Sequence, residues 1–339
     1  MVRSIQVNAE RTYQVDISDD WKLELSNVIQ SRESFVVAPE KLLPQISLDI
    51  PRARILAVPD GENQKNFNVL QSLAEKLSSL GASRESLLIA IGGGATTDLT
   101  GFLAAGYLRG IDWIAIPTTV AGMVDAAIGG KTGINLDSGK NLFGAFHSPK
   151  RVIVDTSWLE TLSQRDRAAG LAESVKCGFI RDEKILQLVE SDPLMNIVEI
   201  IERSIKVKAD VVSADFREEG EREILNYGHT LGHAIERHSG YSMRHGEAIS
   251  IGLVFAAKLS QRFGLNNQTV DRHSKILQQL GLPTSYESSA WPELYQLMGK
   301  DKKRRSGEIR FVTLMEIGRT DRQIVAEGIL SEVFLEMNR

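Results

Sequence analysis

The stretch Leu87-Leu88-Ile89-Ala90-Ile91-Gly92-Gly93-Gly94-Ala95-Thr96-Thr97-Asp98 decides the fold. Its first five residues are a continuous apolar run of strand length, the pattern of a strand buried on both faces of a parallel sheet. Three glycines follow, and a helical pattern then runs from Thr96 to Leu108. Strand, glycine turn and helix form the repeating unit of α/β domains. Glycine lets the backbone approach a ligand closely, and a helix start offers unpaired N–H groups with the positive end of its dipole, which suit a pyrophosphate. The spacing is not the usual dinucleotide fingerprint of three separated glycines, and a tight turn with no ligand is the plain alternative.

Outward from this turn, the first half alternates strands and helices. Ser34–Ala38, Ile55–Val58, Ile111–Ile116 and Val152–Val154 are short β-rich runs. Phe67–Leu80 has helical spacing, with Leu70, Leu73, Leu77 and Leu80 on one stripe and Gly81 ending it. After about Thr156 the pattern changes to long helices: Ala168–Ile180, Lys184–Val189, Ile197–Ala214, Arg222–Arg237, Glu247–Phe263, Thr269–Leu280 and Trp291–Lys300. This predicts an N-terminal α/β domain over residues 1–156 and a mainly helical domain over 157–339. The 339-residue length also favours two domains over a single core. Clefts between such domains are common ligand sites.

Composition narrows the function class. A net charge of −4 gives no general pull on nucleic acid, so any anionic ligand needs a local basic cluster. The one cysteine, Cys177, permits no internal disulfide and points to a reducing, cytoplasmic setting. Met1–Asp20 alternates charged and apolar residues and does not read as a signal peptide. No apolar stretch approaches the roughly 18 residues of a membrane span, so a membrane role is not expected. Gly130-Lys131-Thr132 superficially suggests a phosphate-binding P-loop. That motif needs glycine where Asp125 stands and an apolar helix where Gly133-Ile134-Asn135 follows.

Three of the six histidines fall in one window: His229, His233 and His245. His229 and His233 are four apart on a predicted helix and share a face, which makes them the pair that spacing alone selects as ligands. His245 lies beyond the break at Gly240 and precedes Gly246-Glu247. Zinc proteases carry a glutamate after the first histidine; its absence here argues against peptide hydrolysis. Glu173, within the apolar pattern Gly170–Ile180, is the candidate carboxylate, with a solvated surface position as its alternative. Lys131, Lys140 with Asn141, Lys176, Lys208, Arg222 and the Lys300–Lys303 run are candidate anion ligands, although Lys302–Arg305 reads by default as a solvated loop. Lys208 sits in a helical pattern that implies partial burial and hence a partner.

Taken together, the motifs resemble the sugar-phosphate cyclases, and within them the 3-dehydroquinate synthase family. The segments that carry the resemblance span about Pro59 to Gly318. They are Pro59-Asp60-Gly61-Glu62 with Lys65, the Gly92–Asp98 turn, Tyr107–Gly110, Pro117–Thr119, Asp125 through Gly133, Gly139–Asn141, Gly144–Phe146, Leu171–Glu173 with Lys176, Leu225–Glu236, His245–Glu247 and Asp301–Lys303. The resemblance implies a Rossmann-like NAD-binding domain followed by a helical metal- and substrate-binding domain. It implies Glu173, His229 and His245 as ligands of a divalent metal, zinc or cobalt, which replaces the spacing-based choice of His233; that histidine would face the substrate phosphate. NAD would lie against Asp60, Gly61, Glu62, Lys65, Gly93, Gly94, Ala95, Thr96, Thr97, Asp98, Thr118, Thr119, Lys131, Lys140, Trp158, Leu159, Glu160 and Thr161. Asp125, Lys131, Asn141, Lys176, Lys208, Arg222, Asn226 and Lys302 would line the substrate, and Arg109 would reach across a homodimer interface.

The implied chemistry is transient oxidation by NAD, phosphate elimination, reduction and intramolecular aldol closure, with 3-deoxy-D-arabino-heptulosonate 7-phosphate as substrate. Lys208 and Arg222 offer basic readers for its carboxylate. Three alternatives stay open on sequence: a cyclase of secondary metabolism acting on a neutral sugar phosphate, a metal-dependent alcohol dehydrogenase of the glycerol dehydrogenase type, and an NAD-binding module without chemistry. One departure stands out. Many family members carry Asp-x-Asn after the strand at Ser34–Val37, whereas this chain has Ala38-Pro39-Glu40-Lys41, which puts nucleotide contacts from this loop in doubt.

Overall fold

The structure, a computed structural model, describes residues 2–48, 54–302 and 309–337. The chain divides into two units, residues 1–162 with 208–216, and residues 163–207 with 217–339.

The first unit is built on a seven-stranded sheet. Its strands are β1 (Arg3–Asn8), β2 (Thr12–Ser18), β3 (Ser34–Pro39), β4 (Ile55–Val58), β5 (Leu87–Gly92), β6 (Asp112–Pro117) and β9 (Arg151–Asp155), in the order β1-β2-β9-β6-β5-β3-β4. Only the β1–β2 pair is antiparallel; the other neighbours run parallel. All six residues of β5 are buried, as its apolar run requires. Helices α1 (Trp21–Ile29), α2 (Phe67–Ser79) and α3 (Gly94–Gly106) belong to this unit, and α3 starts directly at the glycine turn. A two-stranded ribbon, β7 (Lys131–Leu136) with β8 (Gly139–Phe146), lies outside the main sheet. The segment resembling a P-loop is therefore a strand. Gly133 and Gly144 are required there, because a Cβ at Gly144 would lie 2.1 Å from the Thr132 carbonyl oxygen.

The second unit is mainly helical. It contains α4 (Gln164–Ile180), α5 (Glu183–Ser191), α7 (His229–His238), α8 (His245–Gln261), α9 (Asn267–Gln279), α10 (Trp291–Lys302) and α11 (Glu327–Met337), with a ribbon of β10 (Arg310–Glu316) and β11 (Arg319–Ile324). Helix α6 (Ile197–Ala214) contributes its residues through Val207 to this unit. The predicted helix Arg222–Arg237 is not continuous. A 3-10 turn over Glu221–Asn226 ends at Tyr227, and Gly228 takes a left-handed φ of +80° before α7 begins. A Cβ at Gly228 would also press to 2.9 Å on Leu253. Periodicity cannot register such a demand, because both pieces keep helical spacing. Helix α4 begins earlier than its apolar pattern, at a Ser163 cap whose Oγ accepts the Asp166 N–H.

A fully buried histidine knits this unit together. His273 on α9 stacks on Phe179 of α4, with ring centroids 3.3 Å apart. Its Nδ1 lies 2.7 Å from the Thr269 carbonyl oxygen, which can only accept, so Nδ1 carries the hydrogen. Nε2 then accepts from the Tyr227 hydroxyl at 3.0 Å. Burial pushes His273 down to about 3. A histidine held neutral by the fold contributes stability above its unfolded value near 6.5 and loses it as pH falls from there toward 3. From pH 7.5 to 5 this one group should cost about 2 kcal/mol. Urea unfolding of the wild type and of His273→Asn at both pH values should show that much less acid sensitivity in the variant; equal sensitivity would contradict the assignment.

Candidate functional site

The second unit assembles its site around α8. Gly246, in the first turn of α8, lies against the backbone of α4: a Cβ there would sit 1.7 Å from the Ala169 carbonyl oxygen. Gly252, nearly two turns on, lies against the start of α7, where a Cβ would sit 2.0 Å from the Gly228 carbonyl oxygen. Neither obstacle is a flexible side chain, so only glycine allows these approaches. The α4–α8 contact is also clamped by charge. Arg165 donates from Nε and Nη2 to the two oxygens of Glu247 (2.5 and 2.8 Å), whose carboxylate caps α8 by accepting the Arg244 N–H. Arg244 in turn donates to Asp166 at 2.7 Å.

These contacts bring one carboxylate and two imidazoles together. Glu173 of α4 is 1% exposed, so it is not a surface residue. Its Oε1 lies 3.2 Å from His245 Nε2 and 3.5 Å from His229 Nε2. Potential ligand atoms of these three residues all lie within 4.8 Å of one another. Glu173 Oε2 forms a 2.5 Å ion pair with buried Lys176 but lacks a hydrogen bond of acceptable geometry. Burial alone would raise the Glu173 pKa; Lys176, His229 and His245 outweigh it and hold the group well below the usual carboxylate range. Burial, reinforced by Lys176, pushes His229 well down, so its imidazole is neutral. Burial also opposes charge on His245, but Glu236 and Glu173 lift it to about 10.

A buried carboxylate, one neutral imidazole and one imidazole between two carboxylates form a donor set that fits a divalent cation. A second grouping, His233, Glu236 and His245, shares His245 with the first. The structure thus divides the pair that spacing selects. His229 and His233 have ring centroids 5.2 Å apart, but His229 is buried in the first grouping and His233 is exposed in the second.

Of the other predicted residues of this unit, Arg222 is 2% exposed in the 3-10 turn, and Asn226 at the end of that turn donates to Glu218 at 2.9 Å. Helix α10 ends at Lys302, but the Lys302 side chain and residues 303–305 lie outside the described residues. Glu236, Glu218 and the Tyr227 carbonyl, to which no role was assigned from sequence, all contact site residues. The available signal for Glu236 was a carboxylate three residues after His233 on the same helix.

In the first unit the glycine turn is as tight as its sequence implies. A Cβ at Gly92 would lie 2.3 Å from Thr96 Oγ1, and one at Gly93 would lie 3.1 Å from Thr119. Thr96 and Thr97 are buried, while Gly93, Gly94, Ala95 and Asp98 keep partial exposure. Lys65, 3% exposed, donates to Asp98 at 2.6 Å and also to Asn141, whose backbone is left-handed at φ +56°. Burial outweighs Lys65 and raises the Asp98 pKa. Asn135 ties this cluster to the turn after β4, donating to Glu62 at 2.6 Å and accepting the Asn141 N–H at 2.9 Å.

Asp60 and Glu62 are exposed, and Lys41 of the departing loop reaches Asp60 at 3.5 Å. Buried Thr118 donates its N–H to the Gly92 carbonyl. Asp125, in a π turn over Gly122–Ala126, accepts from Lys208, which gives that lysine the partner its burial demands. Lys131 is exposed and Lys140 half-buried. The Trp158 ring is core, 4% exposed and 5.3 Å from Trp21; Leu159 is also buried, leaving Gly61, Glu160 and Thr161 as exposed positions. Arg109 is exposed beside Leu108, both left-handed, at φ +66° and +50°.

Comparison with known proteins adds independent findings. The 3-dehydroquinate synthase N-terminal family matches residues 55–169, and the 3-dehydroquinate synthase C-terminal family matches residues 170–304. The chain is 44% identical over 337 residues to a 3-dehydroquinate synthase of Mycobacterium leprae (95% of this chain, 93% of the relative). It is 52% identical over 270 residues to one of Thermobifida fusca (77% of this chain, 73% of the relative). The fold matches a crystal structure of 2-deoxy-scyllo-inosose synthase complexed with carbaglucose-6-phosphate, NAD+ and Co2+, with a TM-score of 0.85 and 25% identity over 98% of this chain and 99% of that one.

Two expectations follow from the geometry. With Glu173 ionised and His229 neutral, cation binding must displace one proton, that on His245. Cobalt affinity measured by calorimetry between pH 6 and 9 should rise about tenfold per pH unit; a flat profile would contradict the charge assignment. Gly246→Ala should force α4 and α8 apart, lowering stability by about 3 kcal/mol and weakening cobalt binding; wild-type values for both would show that the contact does not organise the site.

Proposed function

The chain belongs to the 3-dehydroquinate synthase family, and on that premise we infer how its residues serve the conversion of 3-deoxy-D-arabino-heptulosonate 7-phosphate to 3-dehydroquinate and phosphate. The reaction is a carbon–oxygen lyase reaction, with transient oxidation, phosphate elimination, reduction and intramolecular aldol closure. When bound, NAD supplies reversible hydride acceptance and the divalent cation supplies Lewis acidity. The observation that carries the reading is Glu173 Oε1 faced by the Nε2 atoms of both His229 and His245.

In the second unit, Glu173, His229 and His245 hold zinc or cobalt. Lys176 keeps Glu173 ionised and would line the substrate beside it. Arg222 offers a planar fork to a substrate anion, and Asn226, His233 and Lys302 are the further substrate contacts. In the first unit, the N–H groups opening α3 take the NAD pyrophosphate, and Thr118 and Thr119 flank it. Asp60 and Glu62 accept from ribose hydroxyls, with Glu62 held by Asn135. Lys65, Asp98 and Asn141 form a fixed charge cluster. Asp125, Lys131 and Lys208 are the substrate contacts of this unit. Lys140 and Glu160–Thr161 complete the nucleotide contacts, while Trp158 and Leu159 support that turn from the core. In the loop where many family members carry Asp-x-Asn, this chain has Lys41, which pairs with Asp60.

The family resemblance puts Arg109 at a homodimer interface, where it would act on the partner subunit's phosphate, and its exposure leaves it accessible for that role. A cytoplasmic location fits a biosynthetic role and the single buried cysteine.

The test is a coupled assay. The seven-carbon sugar acid phosphate should release inorganic phosphate with no net NADH, sedoheptulose 7-phosphate should not, and chelation should stop turnover. Net NADH formation without phosphate release would indicate a dehydrogenase instead.

A further inference from the structure

We propose that Glu236, which is not one of the three metal-holding side chains, is a positioning residue: it fixes the tautomer and orientation of His245 so that Nε2 is presented to the cation, while the Tyr227 carbonyl does the same for His229. The proposal rests on the metal-centre reading above.

An imidazole offers a metal one nitrogen lone pair, and the hydrogen bond made by the other nitrogen decides which one. His245 Nδ1 lies 3.0 Å from Glu236 Oε2, and Glu236 is 4% exposed on α7. His229 Nδ1 lies 3.2 Å from the Tyr227 carbonyl oxygen. Carboxylate and carbonyl oxygens only accept here, so both Nδ1 atoms carry hydrogens and both Nε2 atoms are left for the side where Glu173 Oε1 stands, 3.2 and 3.5 Å away. The two supports differ in kind. Tyr227 is buried and anchored through its hydroxyl to His273, a neutral and fixed arrangement. Glu236 places a negative charge against His245, which strengthens Nε2 as a donor.

The alternative is that Glu236 is itself a ligand, in the grouping with His233 and His245. Each residue offers one ligand atom; if His245 gave its Nδ1 to that grouping, its Nε2 would keep its hydrogen toward Glu173, and the buried Glu173 and His229 would lose their third partner. His233, the third member, is exposed, whereas Glu173 and His229 are buried. The geometry therefore assigns Glu236 to a role that acts through His245.

The test uses the full chain, loaded with zinc and measured by competition against a chromophoric chelator. Stoichiometry is read by elemental analysis and helical content by circular dichroism. The wild type should hold one zinc per chain. Glu236→Gln, which can still accept from Nδ1 but carries no charge, should weaken zinc binding about 10-fold, and Glu236→Ala about 100-fold. Both should keep the wild-type helical content, and saturating zinc should restore kcat in Glu236→Gln.

Wild-type affinity in both variants would overturn the proposal. So would two zinc ions in the wild type falling to one in Glu236→Gln, which would make Glu236 a ligand, or loss of helical content in Glu236→Gln, which would make it structural. A wild type that holds no zinc at all would instead overturn the metal-centre reading itself.

Discussion

Everything in the second unit depends on how closely α8 lies against its neighbours. Its backbone meets α4 at Gly246 and the Gly228 turn at Gly252, and at both places a Cβ would occupy the position of a carbonyl oxygen. Helices normally pack through side chains at 8–10 Å. Here the side chains are absent at the contact points, so polar groups on three helices come within a few ångströms of one another. The Arg165–Glu247 fork and the Arg244–Asp166 pair hold the same contact by charge. The glycines permit the approach and the ion pairs fix its register.

The electrostatic consequence is a site with one mobile proton. A buried carboxylate is costly unless it is partnered. Glu173 is partnered by Lys176 on one oxygen and faced by two imidazoles on the other. Without a cation, Lys176 and His245 carry the charges that balance Glu173 and Glu236; with a cation, the charge on His245 becomes redundant. These groups satisfy one another, which explains how the buried charges coexist in a stable fold, and their donor atoms lie close enough together to hold one cation.

The α/β half was legible because Leu87–Ile91 is buried on both faces and its composition says so, and because Gly92–Gly94 can serve little but a tight turn. The β7–β8 ribbon was not, since its glycines and polar residues read as a loop, and only the facing pair Gly133 and Gly144 reveals the strand contact. The run Arg222–Arg237 looked like one helix because the left-handed Gly228 leaves the spacing of apolar residues undisturbed.

At the site, spacing paired His229 with His233, whereas the buried grouping sets His229 with Glu173 and His245. Glu173 and His245 are 72 residues apart, and their meeting is a property of the fold rather than of any local pattern; the family resemblance supplied it. Trp158, expected at the nucleotide, has its ring in the core against Trp21. A family motif marks a segment without stating which of its atoms reach the ligand.

The central claim, that Glu173, His229 and His245 grip one cation, is tested most directly by anomalous diffraction at the zinc edge from crystals of the zinc-loaded protein. The expected result is a single strong peak about 2.0–2.2 Å from one Glu173 oxygen and from Nε2 of both His229 and His245. A peak bound instead by His233 and Glu236, or by only one of the three side chains, would contradict it.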